Sequence, residues 1–109
     1  MKGSYLGEFQ ELVLLAVLSL KEEAYGVAIQ KLIKDFAERD ITRGALHSAL
    51  SRLEEKKYLS SKFTEATNKR GGRRKRVYTI TGSGESALKQ AQSVREKFIT
   101  SIKPSFQYG

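Results

Sequence analysis

Between residues 41 and 81 the apolar period of the chain changes, and that change dictates an architecture. Leu46, Ala49, Leu50 and Leu53 recur at three- and four-residue spacing, the stripe of a helix buried along one face. Thr42 stands where an N-cap is needed, and the pattern runs to about Lys57. Residues 59–66 and 75–81 alternate instead. Leu59 and Phe63 are the apolar positions of the first run, and Tyr78 and Ile80 share a face in the second. Asn68 and the pair Gly71 and Gly72 lie between the runs, and these residues permit the positive φ of a hairpin turn. A helix leading into a two-stranded hairpin is expected.

The hairpin tip holds most of the charge. Residues 69–76 are Lys69, Arg70, Gly71, Gly72, Arg73, Arg74, Lys75 and Arg76, so six of eight are cations. Without those six the net charge falls from +8 to +2. The basic excess is therefore a local patch, the footprint of a polyanionic partner. On a 100° wheel the outer arc of the preceding helix carries Gly44, His47, Ser48, Ser51, Arg52 and Glu55, with Arg43 in the first turn. Small polar groups and cations toward the N-terminal half suit a helix that enters a major groove.

The flanking segments supply the core. Residues 8–20 favour a helix with acids in its first turn, and residues 12–18 are apolar all round. Such a helix is central, with its own domain on one side and room for a partner on the other. A second helix starts at Tyr25 and Gly26, with Ile29, Leu32, Ile33 and Phe36 as its buried stripe, and ends near Arg39 and Asp40. Ile41, apolar between polar neighbours, suits a very short strand. Thr81 caps a last helix over residues 82–101, whose first turn Gly82 and Gly84 should weaken. Ala87, Leu88, Ala91, Val94, Phe98 and Ile102 follow three-and-four spacing, a seam that no earlier element covers fully. A second subunit is expected along it, with Leu88, Ala91, Val94, Arg95, Phe98 and Ile102 at the interface. Pro104 stops the helix.

The fold class that follows is mostly α with a two-stranded β-hairpin: a winged helix-turn-helix plus a C-terminal dimerisation helix. Residues 1–81 form the winged-helix domain, 82–103 the dimerisation helix and 104–109 a tail. At 109 residues a single modest core is within reach. The seven-residue apolar run is too short to span a bilayer, so no membrane partner is expected, and a cytoplasmic location is.

These residues resemble the PadR family of bacterial transcriptional regulators over nearly the whole chain. The resemblance rests on residues 12–20; on Tyr25-Gly26; on Gly44-Ala45-Leu46, Ser48-Ala49-Leu50 and Arg52-Leu53-Glu54; and on Gly71-Gly72-Arg73 through Tyr78, Ile80-Thr81 and Gly84. It implies a homodimer on a pseudo-palindromic operator of double-stranded DNA, usually a repressor, with the last and first helices at the dimer interface. The short chain is similar to the small subfamily without a long C-terminal domain. It departs from the family pattern at His47, where tyrosine is common, and at Arg43 and Gly82, where proline is common.

Expected DNA contacts are Thr42, Arg43, Gly44, His47, Ser48, Ser51 and Arg52 on the helix. The wing adds Lys69, Arg70, Gly71, Gly72, Arg73, Arg74, Lys75 and Arg76. Arginine donates two hydrogen bonds to phosphate from a planar fork. The plainer readings are a solvated loop and the wet face of an amphipathic helix; the two features side by side favour DNA. Two other functions share the charge: a non-specific architectural nucleic-acid binder, and a protein-interaction module built on the winged helix.

Enzyme chemistry has no foundation here. His47 is the sole histidine and there is no cysteine, so neither a zinc site nor a catalytic pair can be assembled around it. Ser48 and Ser51 lack a base, and Gly71 and Gly72 lack the lysine of a P-loop. No cofactor is expected. A small-molecule effector of unknown identity would find Tyr5 and Phe98 at the dimer interface, although plain apolar contact in the seam explains both residues better.

Overall fold

A computed structural model describes residues 6–64 and 74–102. The order is α1 (Glu8–Leu20), a 3₁₀ turn (Lys21–Glu23), α2 (Gly26–Ala37), α3 (Arg43–Glu55), β1 (Leu59–Phe63), β2 (Arg76–Ile80) and α4 (Gly82–Ser101). It is the winged-helix order expected from the period changes. The tip residues 65–73 and the tail 103–109 lie outside the described residues.

α1 is the central element, and it packs on α2, α3, β2 and α4. Val13 and Leu14 are fully buried, and Ala16 and Val17 nearly so. Leu15 and Leu18 face outward. In α2 the apolar stripe holds only in part. Ile29 and Ile33 enter the core and Leu32 is half-buried, whereas Phe36 is 81% exposed. Phe36 lies in the last turn, one residue before the helix ends, where the stripe has run past the body it packs on.

The third strand-like contact of the wing is not at Ile41. Among the described residues, the chain beside β2 is Ala24 and Tyr25. Tyr25 bridges Val77, and the Tyr78 N–H donates to the Ala24 carbonyl at 3.0 Å. Ile41 instead offers its carbonyl to the Gln30 side-chain amide at 2.7 Å, and the chain turns at once into α3. β1 and β2 pair antiparallel with Leu59 opposite Ile80, Ser61 opposite Tyr78 and Phe63 opposite Arg76. By alternation these six side chains share one face.

Both expected threonine caps form. The Thr42 hydroxyl accepts from the Ala45 N–H at 3.0 Å, and the Thr81 hydroxyl accepts from the Gly84 N–H at 3.0 Å. Thr81 does more than cap. Its hydroxyl donates to the Lys57 carbonyl at 2.7 Å, and its N–H donates to the Tyr58 carbonyl at 3.0 Å. The exit of α3 is thereby stitched to the entry of α4. Lys57 takes a left-handed conformation with φ of 68°, which ends α3 abruptly.

Gly84 serves that same corner. A Cβ there would collide with the Tyr58 carbonyl and sit 2.8 Å from Ile80 Cγ1. The glycine expected only to weaken the helix is required by packing. Gly82 has open space around it.

α4 starts inside the domain and leaves it. Ala87 and Leu88 are buried and Ala91 packs against the core, whereas Val94, Phe98 and Ile102 are exposed. The radius of gyration of 16.2 Å exceeds the roughly 13 Å of a compact chain this long. A 20-residue helix is ~30 Å long, so its exposed distal half reaches beyond the core.

Candidate nucleic-acid interface

The face of α3 opposite its buried stripe is open. Arg43, Gly44, His47, Ser48 and Arg52 are exposed, Thr42 is exposed but engaged as the cap, and Ser51 is half-buried. Leu46, Ala49, Leu50 and Leu53 anchor the other side. A Cβ on Gly44 would meet only the Thr42 hydroxyl, at 4.0 Å. No neighbour among the described residues excludes a side chain at that glycine.

The stem of the wing lies on the same side. Arg43, His47, Lys75 and Arg76 line one open cleft of about 790 Å³, together with Lys31 and the first residues of α2. Leu46, Leu50 and Tyr78 form its apolar floor. Helix and wing were expected to work on one partner, and the fold brings their cations to a common rim. Lys69, Arg70, Gly71, Gly72 and Arg73 lie outside the described residues, as does the Asn68 turn.

The three described wing cations each rest on an aromatic ring. The guanidinium carbons of Arg74 and Arg76 lie 5.3 and 5.4 Å from the Phe63 centroid, and the Lys75 ammonium lies 5.1 Å from that of Tyr25. The alternation follows from the strand: residues 74 and 76 point one way and 75 the other. Arg76 has further partners. Its Nε donates to the Ser61 hydroxyl at 2.9 Å, its Nη2 is 3.7 Å from a Glu54 carboxylate oxygen, and Ser61 donates to Glu54 at 2.6 Å. Among the described residues no acid pairs with Arg74 or Lys75.

Sequence reasoning missed this network, because Glu54 reads as a solvated acid and Phe63 as a strand core residue. Phe63 is in fact 54% exposed. Within the network Tyr78 has its phenol pKa raised, chiefly by burial; the nearby Arg76 cation lowers it and the Glu54 charge raises it.

A second charged pair fixes α4. Arg95 donates two hydrogen bonds to Glu11 of α1, one at 3.3 Å from Nε and a shorter one from Nη2. Glu11 is the one buried charged residue among those described. Leu15 and Leu18 lie on the same face of α1 as Glu11, and Phe98 and Ile102 on the same face of α4 as Arg95. Of the residues expected at a dimer interface, Leu88 is spent in its own core, Ala91 is half-buried, and Val94, Phe98 and Ile102 are free.

No group of three or more His, Cys, Asp or Glu side chains that could hold a metal occurs among the described residues. No helix among them is long and apolar enough to cross a membrane.

Comparison with known proteins follows the same lines. No curated protein matches the chain. A PadR-like transcription factor from Bacteroides fragilis superposes with a TM-score of 0.70 at 26% identity, covering 85% of this chain and 84% of that one. A PadR family transcription regulator from Clostridium difficile R20291 gives 0.67 at 25% identity, covering 84% and 91%. One from Eggerthella lenta DSM 2243 gives 0.66 at 25% identity, covering 85% and 80%. The model of the transcriptional regulator PadR-like family matches residues 14–90, from the core of α1 through the wing to the first half of α4. The chain belongs to the PadR-like family of transcriptional regulators.

Proposed function

We propose that this regulator is a sequence-specific DNA-binding repressor that grips a pseudo-palindromic operator as a homodimer. One observation carries the DNA reading: Arg43 and His47 of α3 and Lys75 of the wing stem border a single cleft. α3 enters the major groove and reads bases through Arg43, His47, Ser48, Ser51 and Arg52, while the wing holds phosphate. Phosphate contacts supply affinity, and base contacts supply specificity. The repressor role rests on the family resemblance.

The dimer reading rests on the exposed apolar residues of the distal half of α4. Val94, Phe98 and Ile102 are 46%, 70% and 43% exposed, in a helix whose distal half has little cover from the other described residues. A second copy covers it and sets two α3 helices at a fixed spacing. Residues 1–81 then act as the reading head, 82–103 as the dimerising arm and 104–109 as a tail. The protein works in the cytoplasm. A small-molecule effector fits this scheme without an assigned site.

The test is binding to the regulator's own upstream region, by fluorescence anisotropy against a scrambled duplex at 0.15 M salt. A preference of 10³-fold or more is the expected range for specific recognition. Equal affinity for both duplexes identifies a non-specific binder. Function that survives alanine at Arg73, Arg74 and Arg76 identifies a protein-interaction module.

A further inference from the structure

The wing's cations are unequal, although the sequence presents them as one run. Arg74 and Arg76 share the Phe63 ring, but Arg76 also lies within reach of Glu54 and is bonded to Ser61. Its charge is offset, and its guanidinium is turned toward the last turn of α3. Arg74 has the ring and, among the described residues, no acid. Phe63 sits directly opposite Arg76 in the antiparallel pair, at the end of β1 and half-exposed. It has little burial of its own to justify a large apolar side chain there.

We propose that Phe63 is a positioning residue that holds Arg74 ready for phosphate, while Arg76 is a strut joining the wing to α3 and contacts no DNA. The proposal rests on the DNA reading above and refines it. Guanidinium stacked on a ring face keeps its N–H groups free at its edge, so a stacked arginine is oriented and still able to bind phosphate. An arginine whose Nε is bonded to a hydroxyl and whose Nη2 faces a carboxylate has that edge of its fork engaged and its charge offset. The strut also couples the two tools: Glu54 is on α3, Ser61 on β1 and Arg76 on β2.

Salt dependence separates the roles. Each phosphate contact contributes about 0.9 to the slope of log K against log salt, or roughly five-fold in affinity at 0.15 M. The measurement uses the full-length protein with a duplex of random sequence as well as its upstream region, because phosphate contacts do not depend on sequence. Arg74→Ala should lower the slope by about one per bound subunit, and so by about two for the dimer. Phe63→Leu, which keeps apolar bulk but removes the π face, should do the same, and should add nothing in an Arg74→Ala background. Phe63→Trp, which keeps a ring, should bind like the parent. Arg76→Ala should weaken binding with the slope unchanged. Melting temperatures of all variants report whether any of them has lost its fold.

The proposal is overturned if Phe63→Leu keeps the parental slope, if Phe63→Trp fails as Leu does, or if Arg76→Ala lowers the slope as Arg74→Ala does. Failure of the parent to prefer its upstream region sinks sequence-specific recognition and leaves the wing comparison intact on random duplex. Failure to bind any duplex sinks both.

Discussion

The Tyr58 carbonyl lies so close to Gly84 that no Cβ fits between them. That contact, with the Thr81 bonds to Lys57 and Tyr58, makes one rigid corner from the exit of α3 and the entry of α4. A corner of this kind fixes the direction of α4 relative to α3, and in the proposed dimer it would tie the placement of a second subunit to that helix.

Gly84→Ala should therefore destabilise the protein by about 2 kcal/mol, the usual scale of overpacking against backbone. Helix propensity alone predicts the reverse, since alanine gains up to ~1 kcal/mol over glycine. The sign of the change in urea midpoint, taken at one fixed protein concentration, decides between them.

Gly44→Ala is the opposite case. With open space around the position, the substitution should be neutral or stabilising by up to ~1 kcal/mol. Binding to DNA should nevertheless weaken, because the added methyl stands on the face proposed to enter the groove. Thermal melting and anisotropy on the same sample check both halves.

Arg95→Ala should cost about 1–2 kcal/mol. It strands the buried Glu11 carboxylate, a loss discounted from the buried-pair range because Arg95 is itself 57% exposed. The double change Glu11→Leu with Arg95→Ala should recover part of that loss. If it recovers none, the pair has a role other than mutual neutralisation.

Tyr78 predicts an alkaline limb in stability. Its phenol pKa is raised by burial, so above about pH 10 the folded state keeps a proton that the unfolded chain has released. The folded state then binds more protons, and stability falls as pH rises past that point. Denaturant titrations at pH 9 and 11 should show a smaller fall for Tyr78→Phe than for the parent.

Much of this was legible in the sequence, for identifiable reasons. α1 and α4 have the expected bounds because amphipathic period and capping chemistry are local signals. The exposed face of α3 was readable from the same period. What local signals could not supply was pairing across the fold. A one-residue bridge such as Tyr25 with Val77 has no period, and a very short strand was expected at Ile41 instead. Glu11 has the ordinary look of a first-turn acid, and its partner lies 84 residues away. Phe63 could not be placed against Arg76 without the register, which a 12-residue connection conceals. Phe36 shows the limit of a stripe: period tells which side faces inward, and not how far the neighbouring surface extends.

Selection of bound duplexes from a random DNA pool tests the central claim most directly. A dimer presenting two α3 helices predicts an enriched inverted repeat, its half-sites about one helical turn apart or a multiple of it. Enrichment of a single unrepeated half-site, or of no sequence at all, would contradict it.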